Sequence, residues 1–223
     1  MAAHDREPRK TFSDELTELR DLVLQMGTFV EDMLRRAMQA LVTQDVNLAE
    51  EVRRSDDVAD SFDLQIEACC VRLLALQQPL ARDLRTVIAA VRMSADLERI
   101  GDYAKDIAKV TRRLADTPYF KPLEDIPRMA RQAEEMIRLA IRCFVDRDLE
   151  LARRVAQMDE AVDALWSQLR DELIAAMSRD PSLVFQATHL LLVARYLERI
   201  GDHTVNVVER VVYQETGKLG HLV

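Results

Sequence analysis

The chain has 223 residues, of which 48% are hydrophobic and 31% are charged, and its formal net charge at pH 7 is −8. This acidic balance argues against broad binding to nucleic acid, which requires a basic surface. No apolar run approaches the roughly 18 residues of a membrane-spanning helix, and the charged N-terminus contains no signal-peptide core. We therefore expect a protein without direct membrane insertion. Only 5 Gly and 6 Pro indicate long helices joined by few loops.

Helical periodicity and capping residues divide the chain into six predicted helices. They are expected to span residues 12–42, 44–76, 80–114, 124–145, 148–179 and 181–215. Ser13 is predicted to cap the first helix, and Pro79 and Pro181 are predicted to open the third and sixth. Residues 1–11 are expected to be a disordered leader, residues 115–121 a linker and residues 218–223 a loose tail. The three cysteines lie in apolar helical stretches and are predicted to be buried thiols, as in a reducing cytoplasm.

A six-residue sequence, Leu-Glu-Arg-Ile-Gly-Asp, occurs at residues 97–102 and again 100 positions later at residues 197–202. So long an offset indicates an internal duplication rather than a solenoid of short units. Earlier in each half, Asp45 matches Asp148 at an offset of 103. We therefore predict an all-α protein made of two tandem three-helix bundles. Repeat 1 is expected at residues 12–114 and repeat 2 at residues 122–217.

Two apolar faces are visible in the third helix, and a packed seam is visible in the second. The first face of the third helix leads into the acidic residues of the motif and comprises Leu84, Val87, Ile88, Val91 and Ala95. The opposite face, expected to keep the helix packed, comprises Met93, Leu97, Ile100, Ala104 and Ile107. The seam of the second helix comprises the rows Val52, Ala59, Ile66, Leu73 and Ser55, Phe62, Cys69, Leu76.

Acidic residues, joined by one asparagine in repeat 2, continue the first face of each third helix at a spacing of four. In repeat 1 the set is Glu98, Asp102 and Asp106, with Asp56 and Asp60 from the second helix. In repeat 2 the set is Glu198, Asp202 and Asn206, with Asp159 and Asp163 from the fifth helix. Like charges at this spacing cost ~0.2–0.5 kcal/mol per pair, so a stripe of them needs solvation or a cation. Because packed helix axes lie ~8–10 Å apart, we expect each set to converge on one cluster.

Ligand sets made only of oxygen suit Mg²⁺, Mn²⁺ or ferric iron rather than structural zinc. A solvated acidic face is the alternative for any single residue, and the duplication favours metal binding. Gly101 and Gly201 indicate close approach of a backbone, a partner or an ion, or else simple tolerance. His203 is a further candidate ligand or a hydrogen-bonding residue. Arg99 and Arg199 either pair with neighbouring acids or bind an anion such as phosphate.

Several enzyme classes are disfavoured by missing motifs. The sequence contains no Gly-rich phosphate loop and no Gly-x-Ser-x-Gly elbow. None of the four histidines follows a glutamate at the Glu-x-x-His spacing of di-iron bundles. No nucleophile with its base is indicated by spacing, so we expect a protein that is not an enzyme.

Taken together, these features resemble the PhoU family, the phosphate-signalling regulators of bacteria. The resemblance covers residues 12–215 and rests on two three-helix repeats, each with Glu-Arg-Ile-Gly-Asp late in its third helix. It also includes Met26-Gly27, Gln77-Gln78-Pro79 followed by Asp83-Leu84-Arg85, and residues 195–202. The third position of the motif differs between the repeats, with Asp106 in one and Asn206 in the other.

The resemblance implies a cytoplasmic, non-enzymatic adaptor that is commonly a homodimer. Family members link the phosphate ABC transporter, including its ATPase, to a phosphate-responsive sensor histidine kinase. They hold the phosphate-starvation response off when phosphate is plentiful, and some carry multinuclear metal clusters on their Glu-x-x-x-Asp motifs. The alternatives are a metal-storage or metal-dependent helical-bundle enzyme, and a scaffold without metal.

Overall fold

The computed structural model describes residues 11–218, and all regular secondary structure in this range is helical. The six α-helices are α1 (Phe12–Thr43), α2 (Val46–Gln77), α3 (Ala81–Leu114), α4 (Asp125–Asp146), α5 (Leu149–Arg179) and α6 (Val184–Thr216). The predicted all-α fold with two three-helix repeats is confirmed. Apart from Thr11 and Lys218, the predicted leader and tail lie outside the described residues.

The second helix of each repeat begins in the same way, because an aspartate caps it. The Asp45 carboxylate accepts hydrogen bonds from the backbone N–H groups of Asn47 and Leu48 at 2.9 and 3.0 Å. Asp148 accepts the two equivalent bonds at the start of α5 at the same distances. These bonds satisfy backbone donors that have no partner within the helix. The duplication thus extends to the local contacts that start each helix.

The cap of α1 differs from the prediction, since Thr11 rather than Ser13 occupies that position. The Thr11 hydroxyl accepts a hydrogen bond from the Asp14 backbone at 3.2 Å, and the Asp14 carboxylate accepts one from the Thr11 backbone at 3.1 Å. With Thr11 as the cap, Asp14 falls at the third helical position, where this reciprocal arrangement is possible. Ser13 lies one residue inside the helix.

Neither proline opens an α-helix as predicted. Pro79 precedes the extended cap residue Leu80, and α3 begins only at Ala81. Pro181 begins a single 3₁₀ turn, Pro181–Leu183, which runs directly into α6. Asp180 caps this turn, as expected, by accepting a hydrogen bond from the backbone that follows the proline. The fixed φ of proline suits either kind of helical start.

A single hydrophobic core extends through both repeats. The contact of α3 with α6 is more extensive than its contact with either helix of its own repeat, and α1 packs against α4. The last contact is close at Gly27, where a Cβ atom would lie 2.1 Å from Ile141 Cδ1. All three cysteines are buried, as predicted. The duplicated bundles are therefore joined along α3 and α6 rather than only through the connecting segment.

The segment between α3 and α4 is held by hydrogen bonds to both repeats. The Tyr119 hydroxyl donates to the Leu41 carbonyl of repeat 1 at 2.6 Å. The Gln186 side-chain carbonyl of repeat 2 accepts from the Phe120 backbone at 2.8 Å. Burial raises the pKa of Tyr119 to about 12, so the hydroxyl stays protonated and able to donate. These bonds fix the position at which the chain passes from one repeat to the next.

The faces of α3 are covered unequally. The five residues of the opposite face are all buried, as predicted. On the face that leads into the acidic residues, Val87 is buried, but Leu84 and Ile88 are 39% and 41% exposed. In the seam of α2 the first row is buried, whereas Leu76 in the second row is 55% exposed. Despite these exposed apolar side chains, no helix in the described part of the chain is long and apolar enough to cross a membrane.

Candidate metal centre

The second and third helices of each repeat bring acidic side chains into one groove. In repeat 1, Asp56 of α2 and Asp102 of α3 lie on either side of one ammonium group. In repeat 2, α5 and α6 enclose a groove of about 380 Å³. Its charged lining residues are Asp159, Glu160, Asp163, Asp202, Glu209 and Arg199. The structure therefore brings carboxylates from two helices together in each repeat.

In repeat 1 a lysine lies between the two acidic helices. Lys105 Nζ is 2.5 Å from Asp56 Oδ2 and 2.7 Å from Asp102 Oδ1. Burial lowers the pKa of Lys105, but hydrogen bonds to Asp102 and Asp56 outweigh burial and raise it overall. The side chain thus stays charged and provides a cation that contacts both helices of the groove.

The Glu98–Asp102 pair of repeat 1 is close enough for each charge to affect the other. Burial, followed by the charge of Asp102, raises the pKa of Glu98 to about 7. Burial also opposes ionisation of Asp102, but the hydrogen bond from Lys105 lowers its pKa overall. Burial and the charge of Asp56 raise the pKa of Asp60. Near neutral pH, Glu98 therefore takes up a proton more readily than Asp102.

In repeat 2, two buried carboxylate oxygens make no hydrogen bond within the described chain. They are Asp159 Oδ1 on α5 and Glu198 Oε2 on α6. The other oxygen of Glu198 pairs with Arg195, and the Arg199 Nε atom lies 3.6 Å from Glu198 Oε2. Leaving a buried acceptor without a donor costs free energy. Asp159 Oδ1 therefore lacks the donor that Lys105 supplies to Asp56 in repeat 1, whereas Glu198 Oε2 makes no hydrogen bond but lies near the Arg199 guanidinium.

The electrostatics of repeat 2 agree with this lack of donors. Burial raises the pKa of Asp159 to about 7, with further contributions from the charges of Asp163, Asp202 and Glu198. Burial and the charge of Asp202 also raise the pKa of Asp163 and of Glu198. Like charges in a partly desolvated site disfavour one another. A cation in this groove would relieve the repulsion.

Arg99 and Arg199 pair with neighbouring acids, which is one of the two alternatives for these residues. Arg99 Nη1 lies 3.1 Å from Asp102 Oδ2, and Arg199 Nη1 lies 2.8 Å from Asp202 Oδ2. Both contacts link residues three positions apart on one helix. These guanidinium groups therefore form ion pairs with Asp102 and Asp202 within one helix, and these pairs do not connect two helices.

The third positions of the motif have different contacts. Asp106 pairs with Lys109 at 2.7 Å. Asn206 lines the groove of repeat 2, and its Nδ2 donates to Asp96 Oδ1 of repeat 1 at 3.0 Å. The Nδ1 atom of His203 lies 2.9 Å from the same Asp96 oxygen. His203 is therefore a hydrogen-bonding residue that connects α6 to α3.

The two motif glycines have different surroundings. A Cβ atom at Gly201 would lie 2.3 Å from Asp159 Oδ1, so the absence of a side chain allows that carboxylate to approach α6. A Cβ atom at Gly101 would lie 3.5 Å from Ala59 and Val30, which is ordinary van der Waals contact. Close approach therefore explains Gly201, and simple tolerance explains Gly101.

The donor set of repeat 2 fits a hard cation, whereas that of repeat 1 does not. Repeat 2 offers oxygen ligands, two of them buried without donors. In repeat 1 the ammonium of Lys105 already lies between the carboxylates of Asp56 and Asp102. Within residues 11–218, no group of three or more Asp, Glu, His or Cys side chains has the arrangement of a formed metal site. Side-chain rotation in repeat 2 would be needed to enclose an ion.

Sequence reasoning missed the most informative residue of the site. Lys105 follows Asp102 by three positions on the same helix face, and Val205 is its counterpart in repeat 2. Comparing the two repeats position by position beyond the shared motif would have revealed this difference. Glu160 and Glu209, which add to the acidic lining of repeat 2, were also missed because neither belongs to the motif.

Known proteins match this chain over nearly its whole length. The PhoU domain family matches residues 23–111 and 126–211. The phosphate-specific transport system accessory protein PhoU homolog of Clostridium acetobutylicum is 41% identical over 211 residues, which are 94% of this chain and 96% of that protein. A homolog of the same name from Aquifex aeolicus is 39% identical, over 92% of this chain and 93% of that protein.

Solved structures agree with these relatives. The crystal structure of PhoU from Pseudomonas aeruginosa matches with a TM-score of 0.90 and 35% identity, covering 93% of this chain and 100% of that one. The phosphate transport system regulatory protein PhoU from Streptococcus pneumoniae matches with a TM-score of 0.87 and 32% identity, covering 94% and 99%. Since sequence and fold agree in both repeats, the chain belongs to the PhoU family.

Proposed function

We propose that this protein is an accessory regulator of phosphate transport that holds the phosphate-starvation response off when phosphate is plentiful. It acts in the cytoplasm, as a homodimer, between the ATPase of a phosphate ABC transporter and a phosphate-responsive sensor histidine kinase, and it catalyses no reaction. The observation that carries the proposal is the match of both repeats to relatives named as phosphate-specific transport system accessory proteins. A solved relative is named as a phosphate transport system regulatory protein.

Metal binding is the chemistry we propose for the groove of repeat 2. Asp159, Asp163, Glu198 and Asp202 would hold Mn²⁺, Mg²⁺ or ferric iron through oxygen atoms. Asn206 can contribute its carbonyl oxygen, because its Nδ2 is the atom that donates to repeat 1. A bound ion would supply positive charge between α5 and α6, where two buried oxygens lack donors. It would thereby stabilise the acidic surface that the adaptor presents.

Deletion of the gene tests the regulatory role. Phosphate-starvation genes are expected to stay on in high phosphate, and the wild-type gene supplied in trans is expected to restore repression. A second copy of the family in the same genome must be deleted as well, since it would mask the effect. Normal repression in a strain without any family member would contradict the proposal.

A pull-down from phosphate-replete cells tests the adaptor role. The transporter ATPase and the kinase are expected to be recovered together with the tagged protein. Asp202→Asn in the tagged protein separates metal binding from partner binding, because Asp202 lies in the groove without contributing to the apolar core. Recovery of neither partner by the wild-type protein would contradict the adaptor role.

A metal-storage or metal-dependent bundle enzyme is the second candidate, favoured by the acidic groove and by the buried Asp159 oxygen in it that lacks a hydrogen-bond donor. Turnover with a redox-active metal, or loading of many ions per chain, would favour this candidate over the adaptor. Melting behaviour that does not change across divalent and ferric ions would instead favour a scaffold without metal.

A further inference from the structure

We infer that Lys105 is the resident cation of repeat 1, occupying the position between the acidic helices that a metal ion occupies in repeat 2. This chain therefore binds metal through repeat 2 alone. The part concerning repeat 2 rests on the metal binding proposed above, whereas the part concerning Lys105 rests on the contacts of repeat 1.

The contacts of Lys105 are those of a bridging ion. Its Nζ atom donates to Asp56 on α2 and to Asp102 on α3, and its side chain is only 20% exposed. An ammonium group has three donors and no acceptor, so it satisfies carboxylate oxygens in the way a cation does. A divalent ion could enter only by displacing this charge or by lying against it, and like charges repel in a partly desolvated site.

Repeat 2 has the same acidic pair without the lysine. Asp159 corresponds to Asp56, Asp202 corresponds to Asp102, and Val205 replaces Lys105. The valine cannot donate a hydrogen bond, and Asp159 Oδ1 makes no hydrogen bond within the described chain. Arg195 and Arg199 of α6 pair with acids on their own helix. An ion from solution can therefore supply in repeat 2 the positive charge that Lys105 supplies in repeat 1.

A second charge difference acts in the same direction. One turn beyond Lys105 on α3, Lys109 pairs with Asp106. At the matching position of α6, Glu209 lines the groove of repeat 2. Two basic residues in repeat 1 are thus replaced by one apolar and one acidic residue in repeat 2. Both replacements make the second groove more attractive to cations than the first.

The test changes each of the two residues in the full-length chain. Metal-stripped wild-type protein, Lys105→Met and Val205→Lys are titrated with Mn²⁺, and bound Mn²⁺ is counted by equilibrium dialysis with elemental analysis. The single variant Asp202→Asn is expected to lose Mn²⁺ binding. The single variant Asp102→Asn is expected to keep it. Lys105→Met is expected to gain a further site, which Asp102→Asn then removes. Val205→Lys is expected to weaken wild-type binding by about tenfold or more, the scale on which residues beside a metal site alter its affinity.

Lys109→Met is the matched control. It removes another lysine of α3, and the partner of this lysine is Asp106 on the same helix rather than an acid of α2. It is expected to gain no site. Circular dichroism confirms that each variant is folded, and Val205→Lys tests the inference even if Lys105→Met does not fold.

The outcomes separate this inference from the proposed function. If Asp102→Asn and Asp202→Asn reduce Mn²⁺ binding equally in the wild-type background, the inference is wrong while metal binding stands. If wild-type protein binds no Mn²⁺ but Lys105→Met does, metal binding by repeat 2 is wrong while the role of Lys105 stands. A folded Lys105→Met that gains no site, or a Val205→Lys that binds Mn²⁺ like the wild type, overturns the inference.

Discussion

The grooves of the two repeats differ in their charge balance although the helices that build them are alike. In repeat 1, Lys105 places one positive charge of the chain between Asp56 and Asp102. In repeat 2, Val205 stands at that position, and buried oxygens of Asp159 and Glu198 lack hydrogen-bond donors. A duplicated scaffold can therefore keep its packing while one side chain decides whether an acidic pair is neutralised internally or left available to an ion.

The packing accommodates this exchange because both residues are only partly buried. Lys105 and Val205 each lie between the buried positions of their helix, at the edge of the groove. The methylene stem of a lysine covers apolar surface in much the same way as a valine while its ammonium group reaches polar partners. The buried faces of α3 and α6 are unaffected by the difference, so the two repeats retain the same helix contacts.

Removing the resident cation should give the largest change in stability. Lys105→Met is expected to lower the free energy of unfolding by about 1–3 kcal/mol, between the values for exposed and for fully buried pairs. Lys109→Met removes a pair in which the lysine side chain is 48% exposed, and we expect at most about 0.5 kcal/mol. Urea unfolding at pH 7.5 in the presence of a chelator measures both. Equal losses for the two variants would contradict a special role for Lys105.

The groove of repeat 2 should make stability depend on pH. The folded-state pKa of Asp159 is raised to about 7. The contribution of Asp159 to the free energy of unfolding is therefore fully present below its unfolded-state pKa of about 4 and is lost as pH rises toward 7. We expect a loss of about 1–2 kcal/mol from this residue, since solvent reaches the side chain. Asp159→Asn should flatten this part of the profile of metal-free protein.

The measurement for Asp159 is the urea midpoint at several pH values between 4 and 8. Glu160→Gln, which removes one negative charge from the adjacent exposed position, provides the control and should keep the wild-type slope. An unchanged slope in Asp159→Asn would show that folding does not raise the pKa of Asp159.

The aspartate caps of α2 and α5 test whether the two repeats are equally stable away from the acidic grooves. Asp45→Ala and Asp148→Ala each remove two hydrogen bonds, and the corresponding bonds of the two caps have equal lengths. Each is expected to cost about 1 kcal/mol, and the two costs should agree. Chemical denaturation of both variants provides the measurement, and a large difference between them would show that the second helices depend unequally on their caps.

The smallest effects are expected at the motif glycines. Gly101→Ala should stabilise the chain by up to ~1 kcal/mol through helix propensity, because its Cβ atom finds ordinary contacts. Gly201→Ala forces the Asp159 carboxylate to move and should bring no gain. Thermal melting of both variants checks the difference, and equal stabilisation would mean that Asp159 moves away without cost.

Features that depend on neighbours in the chain could be predicted from the sequence. Asp45 and Asp148 cap α2 and α5 because their partners lie two and three residues away. The duplicated motif predicted the two repeats, and helical phase predicted acidic stripes that face a second helix. Predictions failed where neighbouring candidates compete for one local role, as Ser13 does with Thr11.

Other features were decided only by the tertiary structure. Helical phase shows which residues share a face but not which helix covers that face. Leu84 and Ile88 share an apolar face of α3, and the structure leaves both side chains exposed. The partner of Asn206 is Asp96, which belongs to the other repeat because α3 packs against α6. The residues around Lys105 in the sequence suggest an ordinary lysine on a helix surface. It bridges two helices because α2 places Asp56 within reach of its ammonium group. A contact between helices depends on the position of both, and periodicity within one helix carries no information about the other.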